Sequence, residues 1–318
     1  MRHRPPSPRP RSARAPLSLG RGDGGEGERP GSAVHHLALV LDNVKFQHTL
    51  FALPFCLMSF GYATYPGPSG RLLLLVLLAM VTARTAAMSH NRFVDAELDA
   101  INPRTRGRPV PTGRITRRET LLWTVGSSGA FVGVCALINV WALALSPVAL
   151  AVILSYSHAK RFTWLSHVWL GASLGVAPLG GWVAALGLPW SPVPWLIAGS
   201  VVLWVAGFDV IYATQDEAFD RETGLHSLVT KLGISGALWA ARAAHVVAVG
   251  LLVALGLVAD RLGVVYFAGL AVAAVSILVE HTMVRADDLS RVNVAFFTMN
   301  GIVSLVLCAA TFIDVYWW

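Results

Sequence analysis

The sequence predicts an all-α integral membrane protein with about nine transmembrane helices, and three observations carry that prediction. The 318 residues are 55% hydrophobic and only 14% charged, against about 25% charged in a soluble domain. The apolar residues gather into runs long enough to cross hydrocarbon. The basic residues fall almost wholly in the breaks on one side of those runs. Eleven tryptophans suit the same setting, since Trp collects at bilayer interfaces. Cys56, Cys135 and Cys308 lie far apart in apolar runs and form no Cys-x-x-Cys pair. Neither a disulfide framework nor a zinc site is indicated.

Residues 1–33 are rich in Arg, Pro, Gly and Ser and nearly free of aliphatic side chains. Such a stretch cannot bury enough apolar surface to order itself. It has no apolar core near its start, so a secretory signal is not indicated. We read it as a disordered basic tail; an arm drawn to anionic lipid headgroups is the alternative. Residues 34–318 form the transmembrane domain. Nine oily runs follow one another at 46–65, 71–90, 118–138, 141–157, 163–186, 194–213, 235–258, 262–284 and 293–314. About 20 apolar residues cross the hydrocarbon core, and most runs qualify. The run at 141–157 is short and its border with the run before it is weak, so eight spans are the alternative. Backbone groups cannot stay unpaired in lipid, which makes each run a helix.

Orientation follows from the cations. With the N-terminus on one side, that side holds 1–45, 91–117, 158–162, 214–234 and 285–292. All but four of the 25 Lys and Arg lie in or at the edge of those segments. The exceptions are Arg71 and Arg261 on the far side, and Arg84 and Arg242 within spans. The rich side is therefore cytoplasmic.

Two acidic stretches sit on that same side, "NRFVDAELDAINPRTRGRP" (91–109) and "DVIYATQDEAFDRETGLHSL" (209–228). Asn91, Asp95 and Asp99 are spaced i, i+4, i+8. On a continuous helix they drift by only about 80° and form one stripe, each about 6 Å above the last. Asp209, Asp216 and Asp220, near whole-turn spacings, share a face in the same way. The stripes extend the second and sixth runs. Carboxylates beside lipid are costly and usually functional, and two facing stripes repel unless something cationic lies between them. Salt bridges to Lys and Arg would serve. The spacing favours divalent ions, because Mg²⁺ takes oxygen ligands from one or two carboxylates, waters and substrate phosphates. Nearby arginines suit the outer phosphate oxygens.

The first stretch has the form N-x-x-x-D-x-x-x-D followed by N-P-x-T-x-x-R-P; the second reads D-x-x-Y-A-x-x-D-x-x-x-D-x-x-x-G-x-x-S. With "KFQHTLFALPF" (45–55) and "YSHAKRFTWLSHVWLG" (156–171), the chain resembles the UbiA superfamily of intramembrane aromatic prenyltransferases, and within it the 4-hydroxybenzoate polyprenyltransferases. The resemblance covers roughly 36–314 and leaves out the tail. It implies nine helices around a central cavity with a cytoplasmic cap, and Mg²⁺-dependent transfer of a polyprenyl chain from polyprenyl diphosphate to an aromatic acid acceptor. By position, Asn91, Asp95 and Asp99 match the first metal-diphosphate motif, and Asp209, Asp216 and Asp220 the second. The long tail departs from the pattern, and His158 stands at a variable position.

The remaining candidates are weighed around this reading. Asp95, Asp216 and Tyr212, one turn before Asp216, are the expected catalytic residues; Tyr212 alternatively is an interface aromatic. Arg104, Arg108, Lys160 and Arg161 are expected on the diphosphate, the loop pair Lys160 and Arg161 alternatively serving topology. Lys45 and His48 open the first helix as substrate-binding candidates, although His48 reads more naturally as a hydrogen-bonded entry residue. Tyr62, Trp169, Trp182, Trp204 and Phe208 are candidates to face an allylic cation. Glu97 and Glu217 lie off the stripes and read as solvated. The expected partners are membrane lipid and the two substrates, with no nucleic acid, and the expected setting is a bacterial plasma membrane with the site facing the cytoplasm. A dihydroxynaphthoate acceptor, for menaquinone, is the alternative within enzymes. A secondary transporter is the rival from another class, but transporters place ionisable groups near the midplane, whereas these acids cluster at one face.

Asp95→Asn is expected to nearly abolish turnover per inserted protein. Glu97→Gln, about 200° away around a helix, should cost little. Equal losses would show that net charge, rather than where the carboxylate stands, is what matters.

Overall fold

A computed structural model of the chain describes residues 51–317. The tail at 1–33 and the candidates Lys45 and His48 lie outside the described residues. The elements are α1 (Leu53–Ala63), α2 (Gly70–Val94), α3 (Ala96–Ile101), α4 (Arg117–Ile138), α5 (Val140–Ala159), α6 (Ser166–Leu186), α7 (Pro192–Ala213), a 3-10 turn at Thr214–Asp216, α8 (Glu217–Glu222), α9 (Leu228–Val258), α10 (Val264–Met283) and α11 (Val292–Trp317). α11 carries a π turn at Ala295–Met299. Among the described residues eight helices are long and apolar enough to cross a membrane. The first expected run is described only from α1 onward.

The weak border between the third and fourth runs is a single residue. Asn139 adopts an extended backbone (φ −164°, ψ 172°), and its side-chain oxygen caps α5 by accepting from Ala142 N. Its amide donates to Val183 O at 2.8 Å, so the break is fastened to α6. The seventh run starts earlier than expected, at Leu228, because a capping box of Ser227 and Thr230 begins the helix and Gly233 (φ 70°) kinks it.

Consecutive long helices pack side by side from α4 through α7, α7 packs on α9, and α10 packs on α11; α2 lies on α4, and α1 lies against α6 and α11. α7 is the most enclosed span. Outward faces stay apolar, as with Leu122, Val125, Leu257 and Leu278, which is what a lipid-facing wall requires. The main core joins α1, α7, α9, α10 and α11 through residues such as Phe55, Trp204, Leu255 and Leu307.

Both acidic stripes need correction, because neither lies on one straight helix. α2 breaks at Asp95 (φ −91°, ψ 5°), and α3 continues in a new direction. The cause is a side chain from elsewhere. Arg161 Nη2 donates to Val94 O at 3.0 Å, occupying a carbonyl of the ladder, and an inserted group of this kind kinks a helix. At the second stripe Thr214 Oγ1 donates to Ile211 O and Gln215 Nε2 to Tyr212 O. Those carbonyls are drawn from the last turn of α7, which tightens into the 3-10 turn before α8.

α6 and α7 touch backbone to backbone. A Cβ on Gly171 would stand 2.1 Å from Val202 O, and a carbonyl of the neighbouring helix cannot rotate aside. Gly171→Ala is expected to cost at least about 1–3 kcal/mol, the usual range for overpacking, seen as a lower melting temperature in detergent. Gly126→Ala, on an open face of α4, should be neutral or slightly stabilising. Equal behaviour of the two would contradict the close approach.

Candidate functional site

One cavity of about 1080 Å³ runs inside the bundle. Its mouth is polar and lies where α2, α5 and α7 end. Asn91, Asp95, Asp99, Asp209, Asp216 and Asp220 all line it, so the two stripes converge despite the breaks. Below the mouth the wall turns apolar, with Met80, Ala83, Phe131, Leu145, Val148 and Leu174, and it reaches Trp190 and Trp195 at the opposite end.

Three carboxylates of the mouth, Asp95, Asp99 and Asp216, are met by arginine or lysine. Asp95 is buried, and its Oδ1 accepts from Arg161 Nη2 at 2.9 Å while Lys160 Nζ stands 3.3 Å from Oδ2. Asp99, also buried, takes both oxygens to Arg108 Nη1 at 2.8 and 2.9 Å. Asp216 is gripped in bidentate fashion by Arg104 through Nε and Nη2. Burial opposes the charge on Arg104, but the hydrogen bond and the charge of Asp216 outweigh it and hold its pKa above the ordinary value. The loops between α2 and α4 and between α5 and α6 thus tie to α7 and to each other. His226 N donates to Lys160 O at 2.7 Å, fastening the start of α9 to the same end.

Arg104, Arg108 and Lys160 line the cavity, whereas Arg161 does not and stands behind Asp95. Its other donor goes to Ser157 O at 2.7 Å, which makes it a brace rather than a cavity wall. Asn91 presents its amide nitrogen to Asp95 Oδ2 (2.9 Å), while its oxygen accepts from the buried Arg92 (3.1 Å). Tyr212 sits between mouth and apolar chamber. Its hydroxyl accepts from Arg104 Nη1 at 3.3 Å, and its ring lies 4.4 Å from that of Phe296. Glu97 pairs with Arg117 and Glu217 with Arg221, both off the cavity wall.

Of the five aromatic candidates only Phe208 lines the cavity. Tyr62 is at the far end, donating to Asp260 at 2.5 Å, and Trp182 stacks on it. Trp204 is buried beside Phe208, and Trp169 donates to Ser155 at 2.9 Å. Besides Phe208, Phe51, Phe296 and Phe297 line the chamber near Tyr212; Phe51 falls in the quoted stretch 45–55, and no motif marks Phe296 or Phe297.

Two further wall residues escape sequence reasoning. His167, 4% exposed in the first turn of α6, meets Asp209 Oδ2 through Nδ1 at 2.7 Å, and its Nε2 has no hydrogen-bond partner among the described residues. It stands in the quoted stretch 156–171, but nothing local there marks its contact with Asp209, 42 residues away. Arg84 lines the cavity two turns before Asn91 on α2, about 10 Å deeper. Its only signal is being a cation within a span.

No three of the described His, Cys, Asp or Glu side chains stand close enough, as they lie, to share a metal ion. The donor chemistry of the six motif residues fits Mg²⁺ all the same, being oxygen alone from carboxylates and an amide. A metal here would take over oxygens now held by arginine and lysine.

Residues 52–302 match the model of the UbiA prenyltransferase family. A 4-hydroxybenzoate octaprenyltransferase from Alkalilimnicola ehrlichii is 32% identical over 245 residues, covering 75% of this chain and 80% of that protein. The apo structure of a UbiA homolog from Aeropyrum pernix K1 has a TM-score of 0.76 at 38% identity, over 84% of this chain and 98% of that one. The structure of a UbiA homolog from Archaeoglobus fulgidus bound to DMAPP and Mg²⁺ shares the fold with a TM-score of 0.70 at 21% identity, over 87% and 98%.

Proposed function

The chain belongs to the UbiA prenyltransferase family, and from that premise we propose that it transfers a polyprenyl chain from polyprenyl diphosphate to the ring of 4-hydroxybenzoate, a step in making a respiratory quinone. One observation carries the reading. A single cavity joins a mouth of acids and bases to an apolar chamber that reaches the other end of the bundle, which matches a substrate with a charged head and a long oily tail. The names of the relatives favour 4-hydroxybenzoate over a dihydroxynaphthoate. Membership in a transferase family leaves the transporter reading without support.

Asn91, Asp95 and Asp99, with Asp209, Asp216 and Asp220, would hold Mg²⁺. When bound, the metal supplies positive charge against the leaving diphosphate. Arg104, Arg108 and Lys160 donate to the phosphate oxygens from the wall they already line, and fixed donors of this kind stabilise charge as it develops. The chain of the substrate lies along Met80, Leu145, Val148 and Leu174, where water is excluded. As the allylic C–O bond weakens, its electron pair leaves with the diphosphate and the carbon becomes electron-poor. The acceptor ring attacks it with the carbon beside its hydroxyl and then loses the proton from that carbon. Arg84, below the mouth and within the apolar wall, meets the acceptor's carboxylate and so sets which end of the ring faces up. With the basic breaks on the cytoplasmic side, the mouth opens toward the cytoplasm.

Membranes holding the chain, given 4-hydroxybenzoate, polyprenyl diphosphates and Mg²⁺, should yield prenylated hydroxybenzoate. Asp95→Asn and Asp216→Asn should each remove most of that product. Together they should cost far less than the product of the single losses, as groups acting as one unit do. The singles should need more Mg²⁺. Losses that track inserted protein alone, with unchanged Mg²⁺ dependence, would mean that the acids only brace the fold.

Arg84→Leu should raise KM for 4-hydroxybenzoate by about ten- to a hundredfold, the scale of a lost charge-assisted hydrogen bond. KM for the polyprenyl diphosphate should change little. A matching rise for both substrates would remove Arg84 from the acceptor end.

A further inference from the structure

Away from the acids, α9, α10 and α11 bury a polar cluster that the reaction above does not use. Glu280 and Asn300 are both fully enclosed. Asn300 Nδ2 donates to Glu280 Oε1 at 2.8 Å and to Phe296 O at 3.1 Å, with Ala295 O at 3.5 Å. A backbone carbonyl can only accept, so the NH₂ of Asn300 must face these atoms and its orientation is set. Both carbonyls belong to the π turn of α11, and Asn300 is the residue directly after it. π turns are rare single-turn features found mostly at functional sites. A distorted backbone persists where its surroundings over-determine it, and the clamp from Glu280 through Asn300 does so here.

What the turn delivers is the position of Phe296. Its ring lines the cavity, 4.4 Å from Tyr212, 5.2 Å from Phe208 at 90° and 5.3 Å from Phe51. Tyr212 in turn bonds Arg104, which grips Asp216. Phe296 therefore stands at the level where the charged mouth meets the apolar chamber. A diphosphate held among the cations, with its chain in the chamber, has its first carbon at that level.

We propose that Phe296 presents its ring to the allylic carbon, and that Asn300, anchored on Glu280, is the positioning residue that holds it there through the π turn. This rests on the prenyl-transfer reading above and adds a residue and its support to it. When the C–O bond breaks and the electron pair leaves with the diphosphate, the negative face of an aromatic ring favours the electron-poor carbon. The packed ring also keeps water from that carbon. With the ring displaced, a water oxygen bonds the carbon and loses a proton, giving free polyprenol and diphosphate. The ratio of polyprenol to prenylated acid therefore reads the ring's position and does not depend on how much protein is inserted.

The experiment measures that ratio for the full chain in membranes with 4-hydroxybenzoate, a polyprenyl diphosphate and Mg²⁺. Phe296→Leu and Asn300→Leu should each raise it about tenfold as water reaches the carbon, a change of about 1.4 kcal/mol in the difference between the water and acceptor barriers, and the double variant should go no further than either. Glu280→Leu should match Asn300→Leu. Glu280→Gln keeps an acceptor oxygen for Asn300 and should bring the ratio back to near that of the unsubstituted chain. An unchanged ratio in Phe296→Leu overturns the proposal, and a raised ratio there with none in the Asn300 and Glu280→Leu variants overturns the positioning role. If Asn300→Leu fails to insert, the two Glu280 variants decide the same point. An unsubstituted chain that makes no prenylated acid counts against the prenyl-transfer reading itself, which is a separate failure.

Discussion

Charge at the edge of hydrocarbon must be answered by charge, and Arg161 shows how much of this molecule follows from that demand. From the end of α5 it reaches Ser157 O, Val94 O and Asp95. The contact with Val94 lies where α2 breaks at Asp95, and beyond the break Asp99 on α3 is held by Arg108. The loop that follows carries Arg104 to Asp216. The carboxylates of these pairs are more enclosed than their partly exposed bases, so removing a base leaves a largely enclosed charge uncompensated. These pairs therefore hold the loops of four helices in one arrangement, although surface pairs would contribute little.

The same demand sorts the cavity. Apart from Arg84, ionised groups of the lining stay at the mouth, where loops and bases can answer them, and the chamber below is largely aliphatic and aromatic. On α2 the lining runs from Arg92 to Val76, a span of about 24 Å at helical rise. A substrate that is anionic at one end and apolar along its length meets complementary surface at each level. The border between the levels is Tyr212 with Phe296, and there the backbone departs from regular helix on both sides, in the 3-10 turn after α7 and the π turn of α11. Irregular backbone at membrane depth is tolerated where protein encloses it, and Asn300 supplies that enclosure for the π turn.

Much of this was legible in the residues. Helices in lipid announce themselves by composition, so the described runs fall within a few residues of the spans they become, except at the early start of α9. Acids in so apolar a chain are costly enough that their positions carry meaning. What stayed hidden has a common cause, which is distance along the chain. The straight stripe assumed for Asn91, Asp95 and Asp99 fails because of Arg161, 66 residues away, and no local pattern around Asp95 encodes that. The π turn depends on Glu280, 20 residues before Asn300. His167 and Arg84 carry single polar groups in apolar runs, where periodicity cannot tell the inner face from the outer. Among the aromatic candidates Phe208 reaches the cavity, but Trp182 and Trp204 pack the core, while Phe296 reaches the cavity through a backbone irregularity.

The pairing of acids with bases at the mouth also bears on how a charged substrate enters a low-dielectric site. Asp95, Asp99 and Asp216 are each paired with a cation, Lys160, Arg108 and Arg104, before anything binds, whereas Asp220 has no ion pair among the described residues. Within the proposed reaction, a diphosphate arriving alone would draw Arg104, Arg108 and Lys160 away and leave carboxylates uncompensated. Divalent cations arriving alone would free the bases instead. Either half step costs a buried unpaired charge. When both arrive, the bases turn to phosphate oxygens, the acids turn to metal, and every charge keeps a partner. The salt-bridge network and the metal-diphosphate site are then two states of one set of residues. The loops that close the pairs are also the loops that must yield, which is why those pairs belong at the mouth, on loops and short helices, while the helices beneath them are fixed by contacts as close as Gly171 against Val202.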